Sequence, residues 1–190
     1  QYKIQKRQLR AAHPEYHYCA AQLKYLKEKA IDMKEATSLL FCDDKYDDMQ
    51  SKASLVPSVI LEWNIPDAVD EFFVQGQVHT AINNAVFQVA SGFRHAASTI
   101  RLMKEKQPAP PVIMKLTDGG TDERSNLELV KCASIIIIQE LNLDMYILAR
   151  CAPGHSWINP AERIMSILNL GLQNVSLDRQ QGSEVTEKAQ

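Results

Sequence analysis

Val112-Ile113-Met114-Lys115-Leu116-Thr117-Asp118-Gly119-Gly120 decides the fold. The run is short and almost wholly apolar. It follows Pro108-Ala109-Pro110-Pro111, which breaks the chain. It ends in Asp-Gly-Gly, residues that turn a backbone. A short apolar run between such signals reads as a buried strand. Working outward, Asn126 to Leu141 reads as a helix, apolar nearly all round and so expected to be buried. Met145 to Ala149 reads as a second short buried strand. Pro153 to Trp157 follows as a loop, and 159–174 as a long helix. Strand, helix, strand, helix in that order predicts an α/β layered domain with 112–117 and 145–149 paired in parallel.

Upstream the pattern is less regular. Residues 1–12 are basic, with Lys3, Lys6, Arg7 and Arg10. A helix is expected from about Pro14 to Met33, where Tyr18, Leu23, Leu26 and Ala30 fall near helical spacing. Residues 37–42 read as a strand running into Asp43-Asp44, and Lys45 to Lys52 as a polar, acidic loop. Val56 to Trp63 is a candidate strand, which Pro57 would confine to an edge or shorten. Asp67 precedes a helix-like stretch through Phe73, and Gly76 to Ala90 fits neither period. Ser91 to Lys106 reads as a helix. The domain plan is a helical segment over 1–36, an α/β domain over 37–177 and a polar tail over 178–190.

At 190 residues, 45% hydrophobic and 23% charged, the composition is that of one globular domain. A net charge of −2 assigns any nucleic-acid contact to local patches. Cys19, Cys42, Cys132 and Cys151 form no CxxC pair and read as reduced thiols of an intracellular protein. The apolar stretch at Ile135–Ile138 is far short of the roughly 20 residues that span a bilayer. The first methionine is Met33, so the sequence reads as a piece of a longer chain.

Three acids stand in matching positions. Asp43 ends one strand, Asp118 ends another, and Glu162 lies in the first turn of the final helix. Carboxylates so placed can share divalent ions, as two-metal phosphoryl transfer requires. Each also has a simpler reading. Asp118-Gly119-Gly120 makes a turn by itself. Asn159, Pro160 and Glu162 fit a helix cap. Asp43 and Asp44 could belong to an acidic loop with Asp47 and Asp48.

These contexts resemble the acidic motifs of DDE transposases and retroviral-type integrases. Phe41-Cys42-Asp43-Asp44 resembles the first motif, Leu116-Thr117-Asp118-Gly119-Gly120 the second, and Asn159-Pro160-Ala161-Glu162-Arg163 the third. More closely, the chain resembles transposon-derived proteins with a ribonuclease H-like domain. The segments that carry this are His17-Tyr18-Cys19-Ala20-Ala21, Asp43-Asp44-Lys45, Gly76-Gln77-Val78-His79, Arg94-His95-Ala96, Thr117-Asp118-Gly119-Gly120 and Ser156-Trp157 through Gln173.

The resemblance covers about residues 1–178 and implies a ribonuclease H-like mixed sheet with flanking helices. It implies Asp43, Asp118 and Glu162 as catalytic, metal-binding residues, Mg²⁺ or Mn²⁺ as cofactor, and DNA cleavage and strand transfer as the ancestral chemistry. DNA is the implied partner and the nucleus the implied location; a homo-oligomer is compatible with it and a membrane is not involved. Asp44 competes with Asp43, which is preferred because it directly ends the apolar strand. Neighbouring strand residues face opposite ways, so only one of the two faces the site. One departure stands out. Lys45 leads quickly to Leu55, so the strand after Asp44 is expected to be shortened or lost. The alternative to an active enzyme is therefore a catalytically dead, domesticated or decayed domain that acts as a binding module.

Other residues carry less. Gly154-His155-Ser156 lacks the Gly two after the Ser that a nucleophile elbow needs, because Ile158 stands there. His79 and His95 lack metal-ligand spacing and read as structural or surface residues. Trp63 and Trp157 read as packing residues. Arg94, Arg101, Lys104 and Lys106 share one segment, as a solvated face or a phosphate-contact face.

Overall fold

A computed structural model describes residues 13–44, 55–68, 74–84, 87–106, 108–120 and 123–171. The elements are α1 (Tyr16–Asp32), β1 (Thr37–Asp44), β2 (Leu55–Trp63), β3 (Gly76–Asn84), α2 (Gly92–Lys104), β4 (Val112–Thr117), α3 (Glu128–Leu141), β5 (Met145–Arg150) and α4 (Pro160–Gly171). The basic stretch 1–12, the acidic loop 45–52 and the tail from Asp178 lie outside the described residues, as does most of the helix expected before Phe73.

The strands form one sheet in the order β3-β2-β1-β4-β5. β1, β2 and β3 form an antiparallel meander, and β4 and β5 add in parallel beside β1. This is the expected ribonuclease H-like mixed sheet with flanking helices. The expected loss of a strand after Asp44 does not occur. β2 pairs with β1 from Leu40–Glu62 to Asp44–Ser58, and with β3 along its whole length. Pro57 lies inside β2, which is an inner strand. It sits beyond the last described β1 pair, so its missing N–H deprives no described β1 residue of a donor.

Alternation along the strands builds two cores. Leu39, Phe41, Val59, Leu61, Met114 and Leu116 face α1 and α4. Leu40, Cys42, Ile60 and Ile113 face α2 and α3. Strands buried on both faces cannot alternate apolar with polar, which is why these read as continuous apolar runs.

α2 begins at Ser91, whose hydroxyl accepts from the Arg94 amide at 3.2 Å. α3 ends on Asn142 at φ 49°, and the Leu143 amide reaches back to the Ile138 carbonyl at 3.0 Å, a Schellman close with Leu143 buried. α3 departs from expectation: only Val130, Ala133 and Ile137 are buried. The helix packs against α2 and β5, at the outer side of the sheet, so its far face stays open. Ile135 is 54% exposed, and Leu129, Ile136 and Ile138 are exposed with it.

Leu39→Ala removes a fully buried side chain and is expected to cost about 2–5 kcal/mol. Ile135→Ala should cost less than about 0.5 kcal/mol. Urea unfolding of both variants checks this; equal losses would mean that the outer face of α3 is covered in solution.

Candidate carboxylate site

β1 ends in two adjacent acids, and the pleat sends them to opposite sides of the sheet. Asp43 follows Leu39 and Phe41 onto the α1/α4 side and is buried. Asp44 follows Leu40 and Cys42 onto the α2/α3 side, where it pairs with Arg94 of α2. Of the two, Asp43 is therefore the one that can meet Asp118 and Glu162.

Asp118 reaches the same place through sheet register. β1 and β4 run parallel, with Phe41 opposite Leu116. Two residues further along each strand stand Asp43 and Asp118. The Asp118 carboxylate also accepts from the Gly120 amide at 2.8 Å. Gly119 makes this turn at φ 80°, where a Cβ would come within 3.2 Å of the Cys151 carbonyl. The turn reading and the site reading of Asp118 thus describe one residue using two parts of its surroundings.

Glu162 is positioned by Asn159, which is fully buried. The Asn159 side-chain amide donates to the Cys42 carbonyl at 2.8 Å. Its oxygen accepts from the Ala161 amide at 3.2 Å, which caps α4. One side chain thereby fastens the first turn of α4 to β1, one residue before Asp43. The Glu162 side chain hydrogen-bonds to Asp43. Asn159 alone makes the cap, and Glu162 is released to the site.

The electrostatics record the convergence. The Asp43 pKa is pushed up to about 8. Burial contributes most, followed by the hydrogen bond to Glu162 and then by the charges of Glu162, Asp118 and Asp44. Asp43 thus holds its proton against Glu162, with Asp118 beside it. In these positions the acids are not an open ligand set: among the described residues no group of three or more His, Cys, Asp and Glu side chains stands ready to hold a metal ion. The chemistry of the donors still fits a hard divalent cation. All are carboxylate oxygens, the ligands such an ion prefers.

A second ionic cluster lies behind the site, across β1 and β4. Lys115 and Glu123, 4% and 6% exposed, pair at 3.1 Å. His95 stands between the acids, its Nδ1 3.6 Å from Glu123 and its Nε2 3.7 Å from Asp44. Burial opposes the Lys115 charge, yet Cys42 and Glu123 outweigh it and raise its pKa above the ordinary lysine value. Burial also pushes the Cys42 thiol up to about 12, so it is neutral at pH 7 and Glu123 is the working partner. The pair fastens Glu123 to β4.

Several other readings are revised. Arg94 and Lys106 are half-buried and pair with Asp44 and Glu62, while Arg101 and Lys104 are solvated as expected, beside Glu105 and Glu140. Trp63 packs as expected, buried edge-on against Phe41 at 6.4 Å. Trp157 does not pack; it is 59% exposed. The His155 ring stacks on Tyr16, and its Nδ1 lies 3.2 Å from the Pro153 carbonyl, so it is not turned to Ser156 as a serine hydrolase would need.

No protein-family model matches the chain, and no curated protein matches it in sequence. Among solved structures it is similar to the catalytic domain of Mos1 mariner transposase, at 13% identity over 95% of this chain and 82% of that one, with a TM-score of 0.46. It is also similar to Ciona intestinalis endonuclease V in complex with a 24mer DNA containing an inosine followed by a ribo-adenosine. That likeness has 13% identity over 83% of this chain and 67% of the other, with a TM-score of 0.36. No helix among the described residues is long and apolar enough to cross a membrane.

A raised carboxyl pKa fixes the sign of a pH effect. The folded chain holds the Asp43 proton more tightly than the unfolded chain does, so stability is full below the ordinary carboxylate range and falls as pH rises toward about 8. With chelator present, the urea midpoint should fall between about pH 5 and about pH 8, and Asp43→Asn should flatten that fall. A wild-type midpoint that rises over this span would contradict the coupling.

Proposed function

We propose that this chain is a DDE-type, metal-dependent phosphodiester-cleaving domain acting on DNA, with Asp43, Asp118 and Glu162 holding Mg²⁺ or Mn²⁺. One observation carries the reading: acids at the end of β1, directly after β4 and in the first turn of α4, distant in sequence, act on one another around Asp43. A fold gains no stability by gathering like charges, so such a cluster points to a site. The sequence motifs around the three acids support the same reading. The complete five-stranded sheet removes the missing strand that favoured a dead domain.

The residues divide the work. The Gly120 amide engages Asp118 Oδ1 and orients the carboxylate. Asn159 fixes the rotation and depth of α4, and so the reach of Glu162. The α4 N-terminus favours the Glu162 charge. Asp43, as the carboxylate, would hold the cation together with Asp118 and Glu162. When bound, the ions supply Lewis acidity toward a phosphodiester.

The rival reading, a binding module without catalysis, would keep the Asp43–Glu162 hydrogen bond as a structural pair. Calorimetric titration with Mn²⁺ separates the two. The wild type should bind at micromolar to millimolar concentration and release a proton, and Asp118→Ala with Glu162→Ala should abolish the heat. Mg²⁺-dependent nicking of plasmid DNA should disappear in the same variant. Heat unchanged by the substitutions would sink the enzyme reading.

A further inference from the structure

We infer that Trp157, backed by His155 and Tyr16, is a stacking platform for an unpaired nucleobase of a DNA strand held at the carboxylate site. The inference rests on the reading of that site as one that acts on DNA. Trp157 lies at the centre of the short 3₁₀ turn Ser156–Ile158, between β5 and α4. An indole 59% exposed forgoes burial that would stabilise the fold, so its position asks for a cause.

The turn is not loose. The amides of His155, Ile158 and Asn159 donate to the carbonyls of Ala152, His155 and Ser156 at 2.9, 3.2 and 2.7 Å. Ile158 packs on the core and Asn159 is fully buried. The backbone on either side of the indole is therefore fixed, and the ring is presented outward with little ordering left to do on binding.

Behind it the rings continue. His155 lies 6.4 Å from Trp157 at 47°, and Tyr16 lies 4.4 Å from His155 at 33°. The His155–Pro153 contact fixes the middle ring. The turn that carries the series is tied to the carboxylate site through Asn159, which holds the residue before Asp43.

Cations complete the chemistry. Arg163 follows Glu162 on α4, close enough to Lys27 of α1 for the two charges to repel. Lys27 lies over the Trp63 ring, 5.7 Å from its centroid, whereas Arg163 is exposed. Lys27 lies about three helical turns from Tyr16, on the same flank of α1. An exposed indole and an exposed arginine on the turn and helix that carry Glu162 suit a polyanion with flat aromatic groups. An unpaired base stacks on exposed aromatics whatever its sequence.

Trp63 and Trp157 are the only tryptophans. In a Trp63→Phe background, Trp157 fluorescence is read while a short single-stranded oligonucleotide is added in chelator, with cleavage switched off. Quenching is expected, and the same sequence as a blunt duplex should quench far less. By fluorescence anisotropy with Trp63 intact, Trp157→Ala should weaken single-strand binding roughly 5- to 150-fold, the span of one stacked base. Trp157→Phe should recover most of that binding, and the melting temperature should stay unchanged. Fluorescence that ignores saturating oligonucleotide, or equal affinity for Trp157→Ala, would overturn the inference. Quenching that persists where Mn²⁺ binding fails would uphold the platform and remove the enzyme; Mn²⁺ binding without quenching would do the reverse.

Discussion

The buried amide of Asn159 spans two elements far apart in sequence. Its nitrogen holds the Cys42 carbonyl near the end of β1, and its oxygen holds the Ala161 amide in the first turn of α4. Removing it would strand buried backbone groups at about 1–3 kcal/mol each. The larger consequence is positional. α4 otherwise rests on the sheet through apolar contacts such as Ala161 and Met165, which fix its depth better than its rotation. The Asn159 bonds fix the rotation, and with it the approach of Glu162 to Asp43. Through the same turn they hold the backbone beneath Trp157.

The pleat supplies the other constraint. β1 is buried on both faces, so its successive side chains enter two different interiors. Asp43 meets acids and Asp44 meets Arg94. One face concentrates negative charge that only a proton or a cation can relieve. The opposite face neutralises its charges pairwise, through Arg94, Lys115, Glu123 and His95. Because β1 and β4 carry both sets, the neutral cluster braces the strand ends from which the charged site projects.

Much of this was legible in the residues. Val112–Thr117 was bounded correctly because proline and glycine punctuate it, and the parallel partner at 145–150 follows from the strand–helix–strand order. The β2–β3 hairpin was not legible. β3 is an edge strand exposed on most of its length, so burial imposes no alternation on Gly76–Asn84. What identifies it is pairing with β2, a non-local fact. α3 was read as wholly buried because four consecutive isoleucines carry no information about which of them lies at the side of a sheet. Lys115 was the missed signal: a lysine inside a strand apolar on both faces requires a buried acid nearby. The exposure of Trp157 depends on the turn that Asn159 anchors, which no local pattern announces.

The central claim is that Asp43, Asp118 and Glu162 form one electrostatically coupled site. Side-chain carboxyl ¹³C NMR of Asp43 tests it most directly, as a pH titration with and without Mg²⁺. The account predicts a metal-free midpoint near about 8, moved well down by saturating Mg²⁺ and also by removal of the Glu162 carboxylate. An Asp43 that titrates in the ordinary carboxylate range, indifferent to Mg²⁺ and to Glu162, would contradict it.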